Sequence, residues 1–443
     1  MVRDLDFLIY YEIVEREYEN SLLIKFELEK RGYSVALCNT VKADYWHAWL
    51  YRPKVVLCHT LRNNRNVHSY TQYLNWHVHK IIDLQYEQVL GRSYVGSDSW
   101  IPQGCAKKAL HICWGRNAAR RLKKGGVSEE NIAVTGALQM DTLHHNFKEY
   151  YKDKVNLGLA ENIDPTKKWV LFNANFPILS VSKSSFMAKK IASRVDSLDS
   201  YINVRARIQS LILKWAEELL DSDKEIIFIY RPHPGEQPTN AVKDLLRRNN
   251  RFIWNGSLSV KQWIVVSDVV CVWNSSSIIE AYYAGKPAII LRPVECKDNY
   301  DVFLFDDARA VTNYRDFYHE IKNATFENFP ISVKKIEDYY GKKESELAYI
   351  KVCDVLERVY HDKKFNHNFN VHLKPSYFFR ESKFRLISFY VFFVRHTGIK
   401  LTSLPFINMK PLINAEKYAE KYTESNLFKT YEEPLKKVFD SIS

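Results

Sequence analysis

The strongest chemical signals in this chain are one histidine fenced by prolines and, about forty residues later, a run of small hydroxyl side chains. Arg231-Pro232-His233-Pro234-Gly235-Glu236 follows the apolar stretch Ile226–Tyr230. Two prolines restrict the backbone on either side of a single imidazole, and a guanidinium precedes it. A fixed His with a neighbouring Arg suits a phosphate or a carboxylate. The alternative is a surface turn with a capping histidine. Asn274-Ser275-Ser276-Ser277 follows the apolar stretch Val269–Trp273 and opens a helix at Ile278. Hydroxyl side chains at a helix start add O–H donors to free backbone N–H groups, which is a phosphate-binding arrangement. Glu280, in the first turn, could accept hydrogen bonds from ribose hydroxyls. It could equally complete a capping box behind an ordinary serine cap. Asn173, after the apolar stretch Trp169–Phe172, offers an amide at a third such end.

The amino-terminal half presents carboxylates instead. Glu12 and Glu17 follow the stretch Asp6–Tyr11, Glu87 follows Ile81–Leu84, and Asp141 follows Ile132–Thr135. One of Glu87, Asp141 and Glu17 would deprotonate an acceptor hydroxyl or act as nucleophile, while the other half holds a leaving nucleotide. Each acid alone also reads as a charge favoured near a helix N-terminus. No Asp-x-Asp motif stands at a suitable strand end, so neither a metal nor a resident cofactor is expected.

These residues need elements to hold them, and the patterning supplies two similar sets. A chain of 443 residues suggests two or three domains. Short apolar runs alternate with helical patterns from Asp6 to Thr135, and Gly32 closes a helix over Glu17–Arg31 whose inner face carries Tyr18, Leu22 and Phe26. The polar stretch Leu157–Lys168, with Asp164-Pro165, reads as a linker. The alternation resumes from Trp169 to Leu291, with Gly285-Lys286-Pro287 as a helix stop. The expected architecture is α/β: two Rossmann-like domains, 1–156 and 157–345, facing across a cleft, and a helical region over 346–443. Ligands of such sheets bind beyond the carboxyl ends of the strands, where the motifs above stand.

The net charge of +12 suits phosphorylated substrates or an anionic membrane. No nucleic-acid motif accompanies it, so no nucleic-acid partner is expected. Residues 371–410 carry seven Lys or Arg, one Glu and nine Phe or Tyr. Lys374, Arg380, Lys383, Arg385, Arg395 and Lys400 could meet headgroups while Phe378, Phe379, Phe389, Phe392 and Phe393 insert. The other reading is a terminal helix packed on the rest of the protein. The seven cysteines, Cys38, Cys58, Cys105, Cys113, Cys271, Cys296 and Cys353, show no metal-ligand spacing and read as reduced, mostly buried thiols. With no signal peptide or spanning segment in view, a cytoplasmic place is expected, at the inner membrane's cytoplasmic face if 371–410 docks there.

Arg231-Pro232-His233-Pro234, Ser275-Ser276-Ser277-Ile278-Ile279-Glu280-Ala281 and Gly285-Lys286-Pro287 together resemble the carboxyl-terminal half of GT-B glycosyltransferases. The nearest groups are bacterial capsule and O-antigen Kdo transferases, sialyltransferases and CDP-glycerol glycerophosphotransferases. Arg16-Glu17 before Leu22-Leu23, and Thr135-Gly136 before Asp141, are similar to the same group. The resemblance implies that His233, Ser275, Ser276 and Ser277 bind the phosphate and ribose of a cytidine nucleotide. It implies transfer of a sugar from a nucleotide-sugar donor, such as CMP-Kdo, onto a lipid-linked or oligosaccharide acceptor. Leu291-Arg292-Pro293-Val294-Glu295 is similar to a segment of UDP-GlcNAc 2-epimerases, which have Ser-Gly-Gly where this chain has Ser275-Ser276-Ser277. A sugar-nucleotide isomerase and a CDP-glycerol-type polyol-phosphate transferase are therefore the alternatives.

Overall fold

A computed structural model describes residues 3–40, 50–70, 80–295, 301–343, 346–365, 369, 375–403 and 410–442. Cys296 and Lys374 lie outside the described residues. In chain order the first elements are β1 (Arg3–Tyr11), α1 (Glu19–Lys30), β2 (Val35–Asn39), β3 (Tyr51–Cys58), α2 (Asn64–Tyr70), β4 (Lys80–Asp83), β5 (Leu110–Cys113), α3 (Arg116–Lys124) and β6 (Ile132–Val134). Next come α4 (Lys154–Glu161), β7 (Lys168–Asn173), α5 (Phe186–Ala192), α6 (Leu198–Ser222), β8 (Ile226–Arg231), α7 (Asn240–Arg248) and β9 (Phe252–Trp254). They lead into α8 (Val260–Val266), β10 (Val269–Val272), α9 (Ile278–Tyr283) and β11 (Ala288–Ile290). The helices α10 (Tyr314–Asn323), α11 (Val333–Tyr340), α12 (Ala348–His361), α13 (Pro375–Thr397), α14 (Lys410–Lys421), α15 (Glu424–Leu427) and α16 (Glu433–Ile442) complete the order.

The chain forms two compact units. The first holds Met1–Gln88, Gly96–Thr142 and Asp338–Ser443; the second holds Val89–Val95 and Leu143–Glu337. The divisions fall at 142 and 337, where the sequence marked 156 and 345, and there is a local reason. Leu157–Lys168 is no simple linker: Asp153 caps α4 by accepting the Asn156 N–H at 2.8 Å, and Leu157 is buried. Lys154 then pairs with Asp268 at 2.6 Å, which ties α4 to the second unit.

The first unit carries a six-stranded sheet in the order β2-β1-β3-β4-β5-β6, with every pairing parallel. Its strands are the apolar runs Phe7–Tyr11, Val55–Cys58 and Ile81–Ile82, buried on both faces as helical crossovers require. Successive crossovers leave β1 in opposite directions, toward β2 and toward β3, so the order reverses between β1 and β3. Helix α1 is buried more completely than a single inner face requires. Leu22, Leu23, Ile24, Phe26 and Leu28 are all enclosed, because α12 and α16 cover the side away from the sheet. Phe439 packs against Phe26 and Tyr349, with ring centroids 5.6 and 5.9 Å away.

The second unit carries a five-stranded parallel sheet in the order β11-β10-β7-β8-β9, which reverses between β7 and β10. Phe172, Phe228, Tyr230, Phe252 and Trp273 form its aromatic core under α6. Of the cysteines described, Cys38, Cys58, Cys113, Cys271 and Cys353 are buried and Cys105 is half-buried.

Truncating the enclosed ring of Phe439 to Ala should lower stability by about 3–5 kcal/mol. The loss should appear in denaturant unfolding together with faster amide exchange in α1. An unchanged α1 would mean that α16 does not hold it.

Candidate functional site

A parallel sheet places all strand carboxyl ends along one edge, and its order reversal leaves a gap between crossovers there. In the second unit that gap lies between β7 and β10, whose register pairs Asn173 with Val272. Asn173 follows the buried run Trp169–Phe172, and its Nδ2 donates to Ser277 Oγ at 2.9 Å across the reversal. Ser277 Oγ is 2.9 Å from Ser275 Oγ, which also accepts the Ser277 N–H at 3.4 Å. Asn175 Nδ2 donates to the Asn274 carbonyl at 2.7 Å. Asn173, Asn274, Ser275 and Ser277 are thus one hydrogen-bonded group. Ser276 is exposed beside it. The Oδ1 of Asn173 is enclosed and accepts no hydrogen bond.

Glu280 enters from the first turn of α9, and its Oε2 is enclosed with no hydrogen-bond partner. Burial raises its pKa to about 7, opposed by a backbone hydrogen bond and the Lys261 charge. A carboxyl without a donor waits for one, and hydroxyl groups of a ligand are suitable donors.

On the other side of β7, β8 pairs Arg231 with Asn173. The histidine loop that follows is locked by Glu236, a residue whose part the sequence did not disclose. Glu236 is 4% exposed and its Oε2 accepts the N–H groups of Phe176 at 3.0 Å and His233 at 3.4 Å. Its Oε1 accepts the Tyr230 hydroxyl at 2.6 Å. His233 itself is exposed, and its Nδ1 accepts the Gly235 N–H at 3.2 Å. That bond places the proton of the neutral ring on Nε2, ready to donate. Arg231 is engaged within the fold: its two Nη groups donate to the carbonyls of Ser257 and Leu258 at 2.6 and 2.7 Å. It braces the loop beyond β9 next to the histidine.

In the first unit the reversal lies between β1 and β3, and Glu12 and His59 stand just past those two strands. His59 Nε2 is 3.3 Å from Glu12 Oε2, and His59 Nδ1 is 3.1 Å from the Tyr70 hydroxyl. The His59 hydrogen bond outweighs burial and, with the Arg16 and Arg62 charges, holds Glu12 below its ordinary pKa. Sequence reasoning noted Glu12 only as one acid among several and passed over His59. A single His directly after a buried strand was the available signal.

Of the three acids singled out, Glu87 remains half-exposed. Arg16 Nη1 donates to its Oε1 at 2.7 Å, and Arg62 Nη2 is 3.6 Å from its Oε2. Burial raises the Glu87 pKa, but these charges outweigh it and the net shift is downward. Glu17 is fully enclosed; its carboxylate accepts the Glu12 N–H at 2.7 Å and Arg16 Nη2 at 2.6 Å. It shapes the turn that presents Glu12 and Arg16. Asp141 is 6% exposed and caps α12, accepting the N–H groups of Ala348 at 2.9 Å and Tyr349 at 2.6 Å. Among the described residues, no group of three or more His, Cys, Asp or Glu side chains could hold a metal ion.

No family model and no curated protein matches the chain. Solved structures do. A variant of the wall teichoic acid polymerase TagF is 12% identical, with TM-score 0.53, covering 80% of this chain and 89% of its own. Another TagF variant, soaked with CDPG, is 12% identical with TM-score 0.52 over 81% of this chain and 89% of its own. A UDP-N-acetylglucosamine 2-epimerase, putative in its own description, from Listeria monocytogenes is 12% identical with TM-score 0.50, over 83% of this chain and all of its own. The fold is GT-B-type α/β. Identities this low speak for the fold alone.

Two tests separate site from scaffold. Asp141→Ala should cost about 1–2 kcal/mol of stability through the lost cap, whereas Glu87→Gln should stay within about 0.5 kcal/mol; denaturant midpoints read both. For Glu280, the folded pKa near 7 exceeds the ordinary 4.5. Its stabilising contribution is therefore complete below pH 4.5 and is lost as pH rises through 7. Glu280→Gln should match wild type in melting temperature near pH 4 and exceed it near pH 8. Equal melting at both pH values would show that Glu280 is not desolvated.

Proposed function

We propose that the chain is a nucleotide-dependent transferase that moves an activated group onto a hydroxyl of a surface glycan. The carrying observation is the reversal point of the second sheet. There the Asn173–Ser277–Ser275 group, the exposed imidazole of His233 and the unpartnered carboxyl of Glu280 stand on adjoining strand ends. Serine hydroxyls and the Nε2–H of His233 supply donors to phosphate oxygens, and Glu280 supplies an acceptor to ribose hydroxyls. These donors stabilise the negative charge that grows on the departing nucleotide. Glu236 and Arg231 act as positioning residues, since they fix the loop that carries His233.

The acceptor hydroxyl must lose a proton as it attacks. In the first unit, Glu12 with His59 behind it is the pair suited to receive that proton, because His59 can share it. Glu87, held ionised by two arginines, fits the orientation of a hydroxylated acceptor. Glu17 supports the turn that carries Arg16.

The proposed donor is cytidine-activated: an acidic sugar such as CMP-Kdo on the motif resemblance, moved to a lipid-linked or oligosaccharide acceptor. A CDP-linked polyol phosphate is the second reading, favoured by the likeness in fold to TagF soaked with CDPG. An isomerase acting on a sugar nucleotide would need no acceptor.

Thermal unfolding with CMP, CDP, UDP, GDP and ADP tests the reading. Cytidine nucleotides should raise the melting temperature of the wild type, and His233→Ala should remove most of that shift. Preference for UDP would turn the reading toward an epimerase-like activity, and no response to any nucleotide would overturn it. With a cytidine-activated donor and a hydroxylated acceptor, His59→Ala should cut turnover by roughly 100-fold.

A further inference from the structure

Helix α13 has a buried side that changes along its length and an outward side that keeps its character. In its first half Glu381 and Arg385 are buried, and Ser69 on α2 donates to Glu381 Oε1 at 2.6 Å. In its second half Tyr390, Val391 and Val394 pack on Ala415 and Ala419 of α14. The outward side carries Phe379, 72% exposed, and Leu386, 70% exposed, flanked by the half-exposed Phe378 and Phe389. Exposed Arg380 and Lys383 stand between them. Four large apolar side chains on the surface of one helix need an occupant.

We propose that this outward face of α13 docks on an anionic phospholipid surface, with Phe379 and Leu386 entering the acyl boundary and Arg380 and Lys383 meeting headgroups. Charge decides the occupant. The one acid in α13, Glu381, is turned inward and bound to Ser69, so the charges left on the face are cationic. A second copy docked through the same patch would set Arg380 and Lys383 against the same two cations. An anionic bilayer satisfies both the cations and the apolar side chains. Among the described residues no helix is long and apolar enough to cross a membrane, so α13 lies along the surface. This inference goes beyond the transfer reaction and holds whichever nucleotide the second unit binds.

Vesicle flotation of the full chain tests it, with phosphatidylcholine alone and with about 30% phosphatidylglycerol added. The wild type should float with the anionic vesicles and stay behind with neutral ones, and salt should release it. Phe379→Ser with Leu386→Ser should weaken partition roughly tenfold or more. Arg380→Glu with Lys383→Glu should do so at least as strongly. All four positions are exposed, so an unchanged melting temperature checks that both variants are folded. Absence of flotation with anionic vesicles, or equal flotation with both kinds, would overturn the proposal. So would a wild-type dimer that the double serine variant dissociates, without any vesicle binding.

Discussion

All strand pairings in this protein are parallel, and that constraint governs where its chemistry can stand. A parallel strand returns to the sheet only through a crossover, so every carboxyl end falls on one edge. Where the order reverses, neighbouring crossovers leave in opposite directions and strand ends are left uncovered. In the first sheet these are the ends of β1 and β3, occupied by Glu12 and His59. In the second they are the ends of β7 and β10, occupied by Asn173 and the serine run. The polar residues stand at positions that the topology leaves open, and the apolar runs behind them keep those positions in place.

The buried carboxylates sort by what satisfies them. Glu17, Asp141 and Glu236 each receive backbone N–H groups and hold a turn, a helix start and a loop. Such bonds favour the ionised form, although for Glu236 burial still wins and its pKa is raised. Glu280 differs in having an oxygen with no donor, and its proton is retained up to about pH 7. A fully bonded acid belongs to the framework, while an acid short of donors is poised for an incoming one.

The strands were readable because each is a short apolar run ended by a polar group, and the His-Pro loop and serine run were readable because they directly follow such runs. Helix α1 was readable in extent but not in burial, since the α12 and α16 that enclose it come hundreds of residues later. The same distance hid the part played by Asp141, whose capped helix begins 207 residues on. Glu236 locks its loop through Phe176, 60 residues upstream. The pairing of His59 with Glu12 exists only once β3 lies beside β1. Residues 157–168 misled by their polar composition, since a cap at Asp153 outweighs it and α4 forms.

The enclosure of α1 also sets an order of assembly during synthesis. Domains generally fold as units while the chain emerges. The second unit is nearly continuous, from Leu143 to Glu337, and can close as soon as that stretch has left the ribosome. The first unit cannot. Its α1 meets Glu432 through Lys25 at 2.9 Å and Phe439 through Phe26, so its apolar side stays uncovered until those late residues emerge. The half that is translated first is the half that folds last, and in that interval Leu22–Leu28 is the stretch in need of a chaperone.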